Sequence, residues 1–449
     1  MKNRLTLILA ALLAAGCISE KIELPPWQPA KDPVAHYPTI YITTTSDILG
    51  PTPEDKYADK HQFYVDGHIR VTDPDGMYSP VKEVEGDMQI RWRGHSTLTM
   101  EKKSYRIKLK EKAKLLGMKG DKDWYLLANH ADKTLVRNLV AMRISEICGM
   151  SWTPRMVPVD VYYNGEFAGN YMLSEHKEVG KSKVNIDPSK GDCYFEIESD
   201  CNQPVCFWTA IYREPVMFRE PEVPTEEQQE QVKAWFSGFE TALQDNDFDA
   251  RIRTYSAYID VPSFVNHYLV QEFAKTVDVL RKSTFLTLQK GGKLKMYHVW
   301  DFDLALGNCS YLHADTLLDG SPVDDGPEGW WVKEVAPWRM KTGWYLRMFE
   351  DPVFVQAVKD RWNEVKGPLK NLPDEIDGMV RMNRAAFDRN FERWNVLGAN
   401  VWPNSWPEEE LPQTYDEEIA RLKDYCSRRW AWLDENINTL RGTQPSNSQ

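Results

Sequence analysis

The spacing of apolar residues changes midway along this chain, and that change limits the folds open to it. From Tyr37 the sequence breaks into short runs rich in β-branched and aromatic residues: Thr39-Ile40-Tyr41-Ile42, His68-Ile69-Arg70-Val71, Met88 to Arg93 and Tyr105 to Lys110. In the last of these, Ile107 and Leu109 alternate with Arg106 and Lys108, the period of a strand with one buried face. Val157 to Tyr163 and Phe167 to Leu173 flank Asn164-Gly165, a pair suited to a two-residue hairpin turn. One helix interrupts the strands, opening at Asp132 and running through Leu135, Leu139 and Ile144.

In the second half the step becomes three to four. Thr225 and Gln228 form a capping box ahead of Val232, Trp235, Phe236, Phe239 and Leu243, which share one helical face. Asp260-Val261-Pro262 opens a further helix through Phe264, Tyr268 and Glu272. Thr284 to Leu288 and Leu294 to Val299 form a hairpin around Gly291-Gly292. Thr414 and Glu417 cap a last helix with Ile419, Leu422, Cys426, Trp430, Leu433 and Ile437 along one stripe. Strands first and helices later predict an α+β protein of two lobes. The β-rich lobe covers about 37–220 and the mainly helical lobe about 221–441. A cleft between such lobes is where ligands usually sit.

The start of the chain has a different character. Lys2 and Arg4 precede an apolar run, Leu5 to Ala15, too short for the roughly 20 residues of a membrane span but suited to a secretory signal. It ends in Leu13-Ala14-Ala15-Gly16-Cys17, small residues running into a cysteine, as in a lipoprotein cleavage box. Residues 1–16 are therefore expected to be a signal peptide and Cys17 the lipid-carrying first residue of the mature protein. Residues 17–36, with Pro25, Pro26, Pro29 and Pro33, read as a tether, and 442–449 as a disordered tail. The mature protein is then held at the cell envelope by acyl chains. The position after Cys17 is not Asp, which points to the outer membrane or cell surface rather than the cytoplasmic membrane.

A net charge of −12 argues against a nucleic-acid partner, whose backbone needs clustered Lys and Arg. The 42% hydrophobic content and 17 Trp allow a large core and exclude disorder. Cys201 and Cys206 flank Asn-Gln-Pro-Val in a loop, where an oxidising compartment permits a bridge. Cys148, Cys193, Cys309 and Cys426 lie singly in apolar contexts and read as buried small hydrophobes. No Cys/His spacing suits structural zinc.

Two constellations carry potential chemistry. Asp278 follows a helix, and Asp301 and Asp303 follow the second strand of the hairpin, in Trp300-Asp301-Phe302-Asp303. Two such carboxylates can bind a hard divalent cation while a third accepts a proton; as turn residues they need do neither. The second constellation is basic: Arg91 and Arg93 on one strand, the turn Gly94-His95-Ser96-Thr97, then Lys102, Lys103, Arg106 and Lys108 on the next. Paired strands of this kind form either a phosphate or carboxylate cradle or a solvated sheet face.

With these motifs the chain resembles the CotH kinase family, named for spore coat protein H, from about Pro38 to Leu440. The resemblance runs through Arg93-Gly94-His95-Ser96-Thr97, Lys102-Lys103-Ser104-Tyr105-Arg106-Ile107-Lys108 and Trp124-Tyr125-Leu126-Leu127-Ala128-Asn129. It continues through Asp132-Lys133-Thr134, Arg137-Asn138, Asn164-Gly165, Gly169-Asn170-Tyr171-Met172-Leu173-Ser174-Glu175, Trp300-Asp301-Phe302-Asp303 and Gly307-Asn308. It implies a two-lobed, atypical protein-kinase-like fold that transfers phosphate from ATP, with Mg²⁺ or Mn²⁺, to Ser or Thr of a protein substrate. Asp301 matches the metal-binding Asp of a kinase DFG, with Asp303 beside it, and Asp278 matches the Asp that handles the acceptor hydroxyl. Arg93, Lys103 and Lys108 fall in phosphate-side motifs, Lys108 being the choice for the α/β-phosphates. Glu175 matches a Glu that either pairs with a phosphate-binding Lys or anchors the structure. His95, Thr276 and Ser283 stand where the family commonly has Asn. Two other functions compete: a pseudokinase serving as a surface binding or adhesion lipoprotein, favoured by export away from ATP, and a glycan-binding or glycan-cleaving protein, suggested by the Trp content and paired acids. Trp235 and Trp430, at helical spacing, read as core rather than sugar platforms.

Overall fold

The computed structural model describes residues 36–48, 50, 60–199, 201, 205–245, 254–312, 326–332 and 343–442. The signal segment, Cys17, the tether up to residue 35 and the tail from residue 443 lie outside them. Seven strands close into a barrel: β1 (Thr39–Thr44), β2 (Val65–Thr72), β3 (Glu83–Arg93), β4 (Ser104–Ala113), β5 (Asp121–Leu127), β6 (Met156–Tyr163) and β7 (Glu166–Glu175). Their order is β1-β2-β3-β4-β5-β7-β6, and the closing pair, β1 with β6, is parallel. Alternation sets the faces as expected on β4: Ile107 and Leu109 point into the barrel core, and Lys108 faces solvent. β5 buries both faces. Trp124 and Leu126 fill the barrel, while Tyr125 and Leu127 pack outward on a second core. Asn164 and Gly165 take positive φ of 48° and 85°, giving the tight β6–β7 turn their pairing predicts.

The second core lies around a five-stranded sheet and the helices. β8 (Cys193–Ile197), β9 (Cys206–Trp208), β10 (Pro215–Glu220), β11 (Thr284–Leu288) and β12 (Leu294–His298) are ordered β12-β11-β8-β10-β9. Because β8 pairs with both β10 and β11, a sheet runs across residue 220, where the sequence suggested a boundary between halves. The Cys201–Cys206 bridge is present at the entry to β9. The helices used below are α1 (Arg137–Cys148), α2 (Glu226–Gln244), α3 (Val261–Ala274), α4 (Gly343–Met348), α5 (Pro352–Lys370), α6 (Leu372–Arg393) and α7 (Tyr415–Asn436). Both capping boxes form, Thr225 with Gln228 and Thr414 with Glu417. α1 starts at Arg137 rather than Asp132 because Leu135 sits at φ 59°, outside helical space. The protein is thus mixed α+β, β-rich first and helical later, with a closed barrel as its first layer.

α6 docks on the outside of the barrel through polar groups. Lys102, read from sequence with the basic cradle, instead lies wholly inside this joint. Its Nζ donates to Ala128 O at 2.9 Å, to Asn390 Oδ1 at 2.8 Å and to Asn170 O, and it stands 4.5 Å from the Tyr171 ring centre. Asn390 Oδ1 also accepts from Asn170 N, and Trp394 Nε1 donates to Ala168 O. The close approach needs Gly169: at φ 117°, a Cβ there would meet Trp394 Nε1 at 2.8 Å and Asn390 Oδ1 at 2.9 Å. Burial pulls the Lys102 ammonium down to about 7 from 10.5, against the smaller opposing pull of Asp160. Between those values the unfolded chain binds the extra proton, so this residue makes stability rise with pH from about 7 to about 10.5. Lys102→Met should flatten that rise and, by taking the amine donor away from the buried Ala128 O and Asn170 O, lower stability near pH 9 by about 2–4 kcal/mol. Urea unfolding of both proteins at pH 7 and pH 9 measures this.

Candidate functional site

The segment after β12 carries two of the three acids and is held in shape from behind. Val299, Trp300 and Phe302 are buried, which turns the intervening Asp301 outward at φ 62°, a conformation that non-glycine residues rarely adopt. Asn138 on α1 fixes the turn: its Oδ1 accepts from Phe302 N at 3.0 Å, and its Nδ2 donates to Asn129 Oδ1 at 3.1 Å. Arg137 donates to Asp132 at 2.7 Å and reaches Leu306 O at 3.4 Å, while Leu306 N bonds Ala274 O. Asn308 Nδ2 closes the loop on Asp303 O and Ala131 O. The motif Asn129, Asp132-Lys133-Thr134, Arg137-Asn138 is therefore the mount for the aspartate loop.

Asp278 comes from the loop after α3, where Arg281 N and Lys282 N bond its carbonyl and its carboxylate lies 3.5 Å from Arg281. Ser283, at φ 49°, donates to Asp301 Oδ2 at 2.7 Å and so joins this loop to the β12 segment. Asp303 feels both other acids. Burial, then the charges of Asp301 and Asp132, then Asp278 more weakly, push the Asp303 carboxyl up to about 7. Among the described residues no three His, Cys, Asp or Glu side chains form a complete metal cage. Two crowded carboxylates nonetheless suit a hard cation that keeps water and phosphate oxygens as its other ligands, as Mg²⁺ does.

A cationic group faces these acids from the other sheet and the barrel. Lys177, just beyond β7, lies 4.3 Å from the Phe285 ring centre and 4.9 Å from that of Trp300. Burial lowers its ammonium to about 8, with Glu196 and Asp301 opposing and Arg93 and Arg219 adding to the fall. Arg219 on β10 bonds Glu196 on β8, and Arg93 at the end of β3 covers the Tyr125 ring at 4.4 Å. Burial alone would raise the Glu196 carboxyl, but Arg219, Lys177 and Arg93 together hold it below its ordinary value. Acids and bases thus meet where the barrel, the second sheet and the α1 mount join.

A family model described as CotH kinase protein matches residues 90–433 of this chain, which spans every element of this site. The chain belongs to the CotH kinase family. No curated protein matches it.

Within this CotH family member the sequence-derived candidates separate into two groups. Asp278 and Asp301 act on Asp303, and Arg93 acts with Asp301 on Lys177. Lys103 does not join them: its Nζ donates to Leu98 O and Met100 O and lies over Trp92, tying down the turn after β3. Lys108 is exposed on β4, opposite Gln89 and Asp123. Glu175 is buried with its carboxylate on Arg155 N at 2.9 Å, and burial raises its pKa; it acts as an anchor. Lys177, Glu196 and Arg219 were missed. Their signal was a charge inside an apolar run, as in Cys193-Tyr194-Phe195-Glu196-Ile197 and Pro215-Val216-Met217-Phe218-Arg219. Asn138→Ala removes the acceptor of Phe302 N and the partner of Asn129, and should destabilise the protein by about 1–3 kcal/mol in chemical denaturation. A change within error would show that the loop holds its shape without this mount.

Proposed function

We propose that this CotH family member is a metal- and ATP-dependent kinase acting on Ser or Thr of a protein substrate, in the cleft of a two-lobed, atypical kinase-like fold. The reading rests on one observation: Asp303 feels the charges of Asp301 and Asp278, and Lys177 feels Asp301 together with Arg93 and Arg219. Phosphoryl transfer asks a protein mainly for positioning and charge neutralisation, and this arrangement supplies both. Asp301 and Asp303 would hold Mg²⁺ or Mn²⁺, which when bound neutralises charge developing on the phosphates. Asp278, with its side chain 32% exposed, would accept the proton of the acceptor hydroxyl. Lys177 takes the phosphate role that the sequence suggested for Lys108, because it lies beside Asp301 whereas Lys108 faces solvent. With its pKa near 8 it is mostly protonated at neutral pH, and Arg93 acts beside it as a second cation.

The test is transfer of label from ATP with Mg²⁺ or Mn²⁺, beside direct nucleotide binding. Asp278→Ala should spare binding and lower transfer by about 10²-fold or more. Asp301→Ala should weaken metal-dependent nucleotide binding, and Lys177→Met should do so too. Binding without transfer in the unaltered protein would favour the pseudokinase reading, in which Ser283 occupies Asp301 Oδ2. No nucleotide binding at all would refute both.

The envelope location belongs to the same proposal, through acylation of Cys17. Cys17→Ala should abolish incorporation of labelled palmitate and move the protein from the membrane fraction to the soluble one. Unchanged partitioning would reject the anchor.

A further inference from the structure

A cleft of about 360 Å³ opens between the tip of the β11–β12 hairpin, the turn at Pro188–Lys190 and the first turns of α2. Asp278, Asp301 and Asp303 do not line it, so it is separate from the proposed phosphoryl-transfer site. Its volume falls within the range of small-ligand sites. Trp235, which its helical spacing marks as core, is only partly buried and forms part of the wall. The indole is fixed from behind: Nε1 donates to Tyr258 O at 3.1 Å, and the Tyr258 ring meets it edge-on at 5.1 Å. With its N–H taken, the indole offers a ligand apolar ring surface that is held in place.

We propose that this cleft binds a neutral saccharide. Val232 and Leu288 extend the apolar surface of Trp235, while three amides add polar groups: Gln289, the Nε2 of Gln228, whose Oε1 accepts from Thr225 N, and the Oε1 of Gln231, whose Nε2 donates to Glu227. A sugar ring presents the same two properties, an apolar C–H face and hydroxyls that donate and accept. An apolar ligand would offer the remaining amide groups no partner, which costs affinity. The charges do not select an anion, because Lys190 is paired with Asp187 at 3.1 Å and Lys290 stands in the same cleft as Glu227. The aromatic platform is preorganised by Tyr258, so little side-chain order is lost on binding.

The measurement is calorimetric and Trp-fluorescence titration of the full-length protein with four probes: chitotetraose, cellotetraose, maltotetraose and, as the anionic comparison, a galacturonic acid tetramer. At least one neutral tetrasaccharide should bind with Kd in the range of about 10 μM to 1 mM, more tightly than the anionic one. The exposed pair Gln231→Ala with Gln289→Ala should weaken it about tenfold or more, as should Trp235→Ala, with nucleotide binding unchanged. The glutamine pair keeps the test sharp if Trp235→Ala fails to fold. Absence of binding by all three neutral probes, preference for the anionic one, or equal affinity in the glutamine double variant would each overturn the proposal.

Discussion

A buried ion pair that touches no candidate ligand determines where the acids of this protein point. Asp132 accepts from Thr134 N, Thr134 Oγ1, Arg137 N and the Arg137 guanidinium, so its charge is fully met inside the protein. Isolated, either charge would be costly to bury; paired and hydrogen-bonded, the two form a rigid unit. From it Arg137 reaches the Asp301–Asn308 loop, and Tyr415 OH donates to Thr134 O, bringing α7 against the same turn. Asn138, the next residue, takes the backbone of Phe302. The stability of the core and the direction of Asp301 thus rest on the same few atoms.

The acids and bases of the candidate site are matched rather than independent. Glu196 lies buried among Arg219, Lys177 and Arg93, and offsets the repulsion among those cations. Lys177 in turn feels both Glu196 and Asp301. Rings of Phe285, Trp300 and Tyr125 line the cations and lower the local dielectric, which strengthens every charge interaction there. A site built this way loses little reorganisation energy when a charged ligand enters.

Much of this was legible in the sequence where the cause was local. The alternation on β4, the Asn164-Gly165 turn and the two capping boxes each depend on residues within a few positions of one another. The acids were legible because a strand end followed by Asp-Phe-Asp puts carboxylates at a sheet edge. Barrel closure was not, since nothing near Thr39 marks Asp160 as its parallel partner. β6 was legible as a hairpin strand but not in which way its residues face, because almost every residue in Met156–Tyr163 is buried and no polar face breaks the run. The choice among lysines was also out of reach: Lys102, Lys103, Lys108 and Lys177 differ in environment only after the barrel, α6 and the second sheet are brought together.

The parallel pairing of β1 with β6 also shapes how the chain assembles. The first strand can complete its hydrogen bonds only once a segment roughly 120 residues downstream is available. Until then β1 is an apolar strand with an open edge, the kind of segment that pairs with other chains. Contacts so distant in sequence slow folding and lengthen the interval of exposure. In this topology the first strand keeps an open edge until the sixth is in place.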